Sequence, residues 1–193
     1  MEIDLGETVT CAACTAKPPL WNRARAALAY DDGSRRIVLD LKRAGRRDGL
    51  KLIASWMTQA GRDLLDDTDL IIPVPLHYTR LVQRGYNQAG WLAQGVGRAS
   101  GVPVRVAALK RTRATPSQGF LTSRQRRKNV SGAFAVRKRY QTLVSGARIV
   151  LIDDVLTTGA TLKSCVRALK SAGAASVDVL VLCRVVRERD VTI

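Results

Sequence analysis

Arg148-Ile149-Val150-Leu151-Ile152-Asp153-Asp154-Val155-Leu156-Thr157-Thr158-Gly159-Ala160-Thr161 reads as a buried strand, a short polar turn and the start of a helix. Apart from Arg148, the stretch is unbroken apolar from Ala147 to Ile152, as a strand covered on both faces of a parallel sheet requires. Two adjacent carboxylates end the run. In open parallel sheets, ligands lie beyond the carboxyl ends of the strands. A helix N-terminus at that place offers unpaired N–H groups and the positive end of a dipole. Gly159 lets the backbone come close to an anion, and Thr157, Thr158 and Thr161 add hydroxyl donors. The segment Thr157, Thr158, Gly159, Ala160 and Thr161 is therefore a candidate cradle for a phosphate monoester. Asp153 and Asp154 suit the vicinal hydroxyls of a sugar, and they can also hold Mg²⁺ directly or through water. Phosphate on one side and a diol on the other describe a 5-phosphoribosyl group. Helix capping alone explains one Thr and one Asp, not the whole set. The Walker A and Gly-x-Gly-x-x-Gly patterns are both absent.

Working outward, the chain alternates strand-like and helix-like segments. Ala24–Tyr30 is a predicted strand, ended by the turn signal Asp31-Asp32-Gly33. Ser34 is the expected N-cap of a helix through Lys42, and a second helix is expected over 47–65. Leu70 to Pro75 reads as a short buried strand entering a Pro-bounded loop. A helix follows over 86–99, then a strand over 104–109. Residues 110–129 read as a mobile loop leading into a short helix. Beyond the central turn come a helix from Ala160 to Ser171 and a strand from Ser176 to Cys183. This order predicts an α/β fold with a central, mostly parallel sheet flanked by helices. The domain spans 23–193, and a short irregular appendage covers 1–22.

Charge is distributed unevenly. Leu70 to Ile152 contains no Asp or Glu and fifteen Lys or Arg, so this stretch holds +15 of the formal net charge of +16. A one-signed basic surface attracts polyanions, whether phosphorylated metabolites, pyrophosphate or nucleic acid. No apolar run approaches the roughly 20 residues needed to span a bilayer. Met1-Glu2-Ile3-Asp4-Leu5 lacks the basic start of a signal peptide. A cytoplasmic protein without membrane contact is expected.

Ile149 to Thr161 resembles the thirteen-residue phosphoribosyl pyrophosphate signature of type I phosphoribosyltransferases. Pro73-Val74-Pro75-Leu76-His77, Arg84-Gly85-Tyr86-Asn87-Gln88, Arg111-Thr112-Arg113-Ala114-Thr115-Pro116-Ser117-Gln118 and Arg127-Lys128-Asn129-Val130 resemble one branch of these, the ComF family of competence-associated proteins. The resemblance implies a type I phosphoribosyltransferase-like fold and roles for particular residues. Asp153 and Asp154 would contact the ribose hydroxyls, with Mg²⁺ nearby, and Thr157 to Thr161 would hold the 5-phosphate. His77 and Arg80 would sit where the family binds pyrophosphate. Residues 110–126 would form a lid that brings Lys110, Arg111 or Arg113 to the same group. In the superfamily's 6-oxopurine transferases an Asp stands where this chain has Thr157, which argues against hypoxanthine or guanine as acceptor. ComF-like proteins often begin with a zinc site of two C-x-x-C pairs. Here only Cys11 and Cys14 are present, so residues 1–22 read as a remnant of that region. Two thiolates do not close a tetrahedral site, and zinc is not expected.

Two functions fit this reading. One is an enzyme that binds phosphoribosyl pyrophosphate with Mg²⁺ and transfers the phosphoribosyl group to an acceptor. The other is a non-catalytic accessory or regulatory protein of DNA uptake. It would use the same scaffold to bind single-stranded DNA or to work beside a DNA-uptake helicase.

Overall fold

A computed structural model of the chain describes residues 15–16, 18–43, 49–113 and 132–186. Strand β1 (Ala24–Ala29) leads into helices α1 (Asp32–Arg43), α2 (Leu50–Ala60) and α3 (Arg62–Leu65). Strand β2 (Leu70–Pro73) precedes helices α4 (Tyr78–Arg84) and α5 (Gln88–Ser100). Strands β3 (Leu109–Arg111) and β4 (Phe134–Val136) come next, then a 3-10 turn (Lys138–Tyr140) and helix α6 (Gln141–Val144). Strand β5 (Arg148–Leu156), helix α7 (Ala160–Ser171) and strand β6 (Ser176–Arg184) complete the order. The main sheet runs β1-β6-β5-β2, and every pairing in it is parallel. This is the α/β architecture that the alternation of elements predicts. Strands β3 and β4 form a separate antiparallel ribbon.

The strand pleat divides the interior into two layers. Ile149 and Leu151 of β5 and Val177, Val179 and Val181 of β6 face α7 and the ribbon, packing on Leu162, Cys165 and Leu169. Val150, Ile152, Leu180 and Leu182 face the opposite way, onto α1, α2 and α5 through Val38, Met57 and Leu92. Burying one such aliphatic side chain is worth about 1.5–3 kcal/mol. Strands β5 and β6, apolar on both faces, lie in the middle of the sheet, where both faces are covered.

Several boundaries differ from the sequence reading, each for a local reason. Asp31, not Ser34, caps α1. The Asp31 carboxylate accepts from the Ser34 amide at 2.8 Å, and the Ser34 hydroxyl accepts from the Asp31 amide at 2.9 Å. This reciprocal pairing holds Asp31's carboxyl below the usual carboxylate range. The helix expected over 47–65 is broken at Gly61, where a Cβ would lie 2.8 Å from a Leu180 methyl. The strand expected over 104–109 shrinks to a bridge from Val104 to Ile71, with β3 starting only at Leu109. Strand β5 continues to Leu156 because β6 pairs with it that far, so the two aspartates lie inside the strand rather than beyond it. Residues 114–129 of the expected loop lie outside the described residues. Among the described residues no helix is long and apolar enough to cross a membrane.

Candidate functional site

The pleat that separates the two layers also separates the two aspartates. Asp154 follows Ile152 onto the side of α1 and α5 and is 7% exposed. Its Oδ2 accepts from Gln88 Nε2 at 3.2 Å and pairs with Lys42 Nζ at 2.9 Å. Asp153 follows Leu151 onto the α7 side, and its Oδ1 accepts from the Asp154 amide at 2.9 Å. Burial first, and then the neighbouring Asp154 carboxylate, push the Asp153 carboxyl up to about 8. Burial and Asp153 likewise raise the thiol of Cys165 on α7. Two chemically identical neighbours thus have unlike surroundings.

The turn after β5 is built for close approach. Gly159 takes a left-handed conformation with φ of 70° and precedes α7 without any side-chain cap on that helix. Glycine brings no side chain to cap the first amides of the helix. A Cβ on Gly159 would lie 2.8 Å from Trp21 Cη2, so the Trp21 ring backs the turn. Lys163, one turn into α7, holds its ammonium 5.9 Å from the centre of that ring. Trp21 and Asn22 belong to the segment expected to be an appendage, yet they pack on the sheet. The Asn22 amide donates to the Val177 carbonyl at 2.9 Å.

These groups share a cavity of about 370 Å³. Asp153, Asp154 and residues 157–161 line it together with Lys42, Arg80, Arg84 and Arg111 and with Val74, Pro75 and Leu76. Burial, then the Arg80 guanidinium, lower the pKa of Arg111. Its guanidinium lies 5.3 Å from the centre of the Phe134 ring. Gln88 Oε1 and Asn87 Oδ1 are buried acceptors with no partner among the described residues. They sit at the start of α5, where Gln88 joins the lining. Of the residues singled out in the sequence, the aspartates, Thr157 to Thr161, Arg80 and Arg111 come together here. His77 does not line the cavity. It caps α4, its Nδ1 accepting from the Thr79 amide at 3.3 Å. Lys110 and Arg113 are exposed and outside the lining. Cys11 and Cys14 lie outside the described residues. Sequence reasoning missed Lys42, Arg84 and Gln88 as site residues. Arg84 and Gln88 stand in the Arg84-Gly85-Tyr86-Asn87-Gln88 run, but nothing in the local sequence marks Lys42.

A larger cavity, about 760 Å³, lies toward the amino ends of the strands, among α2, α3 and the end of α5. Its hydroxyls are already engaged. Ser55, Thr58, Thr68 and Ser100 each donate to a carbonyl three or four residues back. In the smaller cavity, by contrast, Gln88 Oε1 is a buried acceptor with no partner among the described residues.

Residues 60–191 match the phosphoribosyl transferase domain family. The chain is 36% identical to the DNA utilization protein YhgH of Escherichia coli O157:H7 over 179 residues, which is 90% of this chain and 77% of that protein. It is 30% identical to Competence protein F of Haemophilus influenzae over 179 residues, 90% of this chain and 78% of that one. The chain belongs to the ComF family of phosphoribosyltransferase-domain proteins. A solved structure, the allosteric regulatory enzyme of purine biosynthesis, superposes with a TM-score of 0.49 at 20% identity, over 75% of this chain and 30% of its own length. The ComF membership accounts for the parallel sheet flanked by helices. Lys42 lies outside the 60–191 match.

Proposed function

We propose that the 370 Å³ cavity binds phosphoribosyl pyrophosphate and that the protein transfers its phosphoribosyl group. The observation that carries this reading is the meeting, in one cavity, of a glycine-led helix start, a carboxyl pair and several cationic side chains. The 5-phosphate lies on Thr157 to Thr161, where α7's first amides and the dipole favour an anion. The ribose hydroxyls donate to Asp153 and Asp154, and Gln88 Oε1 offers a further buried acceptor. Pyrophosphate lies toward Arg80, Arg84 and Arg111. An acceptor nucleophile attacks the anomeric carbon, the bond from that carbon to the pyrophosphate oxygen breaks, and its electron pair leaves with pyrophosphate. The three guanidiniums stabilise the charge that builds on the leaving group. Thr157 supports an acceptor other than a 6-oxopurine.

Mg²⁺ fits the donor set. The described residues contain no cluster of three or more His, Cys, Asp or Glu, so an all-protein cage is not offered. Mg²⁺ is commonly held by one or two carboxylates together with substrate phosphates, and Asp153 and Asp154 supply the protein's share. When bound, the ion would neutralise charge on pyrophosphate.

The relatives' names, DNA utilization protein and Competence protein F, support a role in the uptake or use of DNA. A second reading has its own observation. Arg105, Lys110, Arg113, Arg137, Lys138 and Arg139 are all exposed on or beside the ribbon, and the Arg137 amide donates to the Ala108 carbonyl at its base. A surface of this kind suits single-stranded DNA, or an acidic face of a DNA-uptake helicase, without any turnover. Calorimetric titration of phosphoribosyl pyrophosphate with and without Mg²⁺, beside Asp154→Asn, tests the first reading. Micromolar binding that the variant loses supports it, and no binding under any condition refutes it. Oligonucleotide affinity measured against salt tests the second, because polyanion contacts weaken steeply as salt rises.

A further inference from the structure

We infer that Lys42 is a positioning residue that acts as the resident cation of the carboxyl pair, so that the site takes a 5-phosphorylated ribose without a divalent ion. This rests on the phosphoribosyl reading of the cavity and names a residue outside the matched domain as part of it.

Lys42 stands in the last turn of α1, a helix already anchored to the sheet by Val38 and Leu41, which are 2% and 3% exposed. Holding α1 in place therefore does not require a charge at position 42. A lysine at a helix end ordinarily keeps its ammonium in water and lays only its stem on the protein. Here Nζ instead reaches Asp154 Oδ2 at 2.9 Å, and the side chains are only 29% and 10% exposed. Removing such a pair from water is costly unless the geometry is good, and here the second donor, Gln88 Nε2, completes it. Both donors fall on the same oxygen, Oδ2. The carboxylate plane is thereby fixed from one side, as a coordinated cation would fix it. Asp153 lies next in the chain with its own carboxyl, and a ligand phosphate brings further negative charge to the same cavity. A fixed ammonium offsets that charge before any metal arrives.

Ribose 5-phosphate separates this role from that of Mg²⁺. It carries the phosphate and the diol but no pyrophosphate to bring a metal with it. The experiment is calorimetric titration of ribose 5-phosphate into the full chain, in excess EDTA and again in millimolar Mg²⁺. It is run on the wild type, Lys42→Gln, Lys42→Met and Lys42→Arg, with thermal melting to show that each is folded. The wild type is expected to bind equally in both buffers, within about twofold. Lys42→Gln and Lys42→Met lose about tenfold or more in EDTA and recover in Mg²⁺, while Lys42→Arg keeps metal-free binding. A merely structural lysine would lower the melting temperature without creating a metal requirement. Wild-type binding that needs Mg²⁺ overturns the inference without any variant. Equal binding by Lys42→Gln and wild type in EDTA overturns it too, and leaves the cavity reading standing. No wild-type binding in either buffer overturns the cavity reading itself.

Discussion

Replacing Gly159 by alanine probes the phosphate turn and the Trp21 ring behind it together. Two separate costs follow from the structure. Gly159 has φ of 70°, and an L-residue in that left-handed region costs about 1–2 kcal/mol. The new methyl would also meet Trp21 Cη2 at 2.8 Å, and crowding of this kind costs about 1–3 kcal/mol. The expected loss is therefore about 2–5 kcal/mol, a large share of the roughly 5–15 kcal/mol that holds a domain of this size together. Equilibrium urea unfolding reads it as a lower midpoint at unchanged slope. The two parts separate in a Trp21→Ala background, which removes the crowding but not the backbone strain. There the same substitution should cost only about 1–2 kcal/mol. A cost below about 0.5 kcal/mol in the wild type would refute the left-handed turn. An equal cost in both backgrounds would refute the packing of Trp21 against it.

Other perturbations test other parts of the molecule. Asp153's carboxyl is raised from an ordinary 3.8 to about 8, so between those values the native state holds a proton that the unfolded chain has lost. Stability should fall as pH rises through that window, and the difference between wild-type and Asp153→Asn unfolding curves should isolate this slope. Asp178, 6% exposed, accepts from the Arg23 amide at 2.8 Å and from its guanidinium at 2.8 and 3.1 Å. Asp178→Ala leaves those donors unmatched, and because Arg23 is itself partly in water the expected loss is about 2–3 kcal/mol by urea unfolding.

The central turn was legible because its signals are local. A wholly apolar run, two carboxylates and a Thr-Thr-Gly-Ala-Thr turn sit within fourteen consecutive residues, and β5, α7 and β6 follow directly. The strand's true end at Leu156 was not legible, because it is set by pairing with β6 as far as Arg184. Helix α4 escaped the reading because none of its seven residues is buried, so it carries no apolar period. Gly61 leaves the helical region, with φ of −105° and ψ of 16°, at a point where Leu180 of a distant strand packs too closely for any larger residue. Lys42 shows the same limit at the site. Its partner is brought to it by the packing of α1 on the sheet, and one lysine in a basic chain gives no local sign of that.

The pleat of β5 gives its two aspartates separate addresses. Asp154 answers to α1 and α5, and Asp153 to α7 and the ribbon. A substitution in one layer changes the packing around one carboxyl directly, and its charge reaches the other through the pair, because Asp154 and Lys42 both act on Asp153. Such a strand lets the packing around each carboxyl vary separately while their charges stay linked. The same property suits directed evolution: a library confined to α1 and α5 explores the charge beside Asp154 while the enclosure of Asp153 stays fixed.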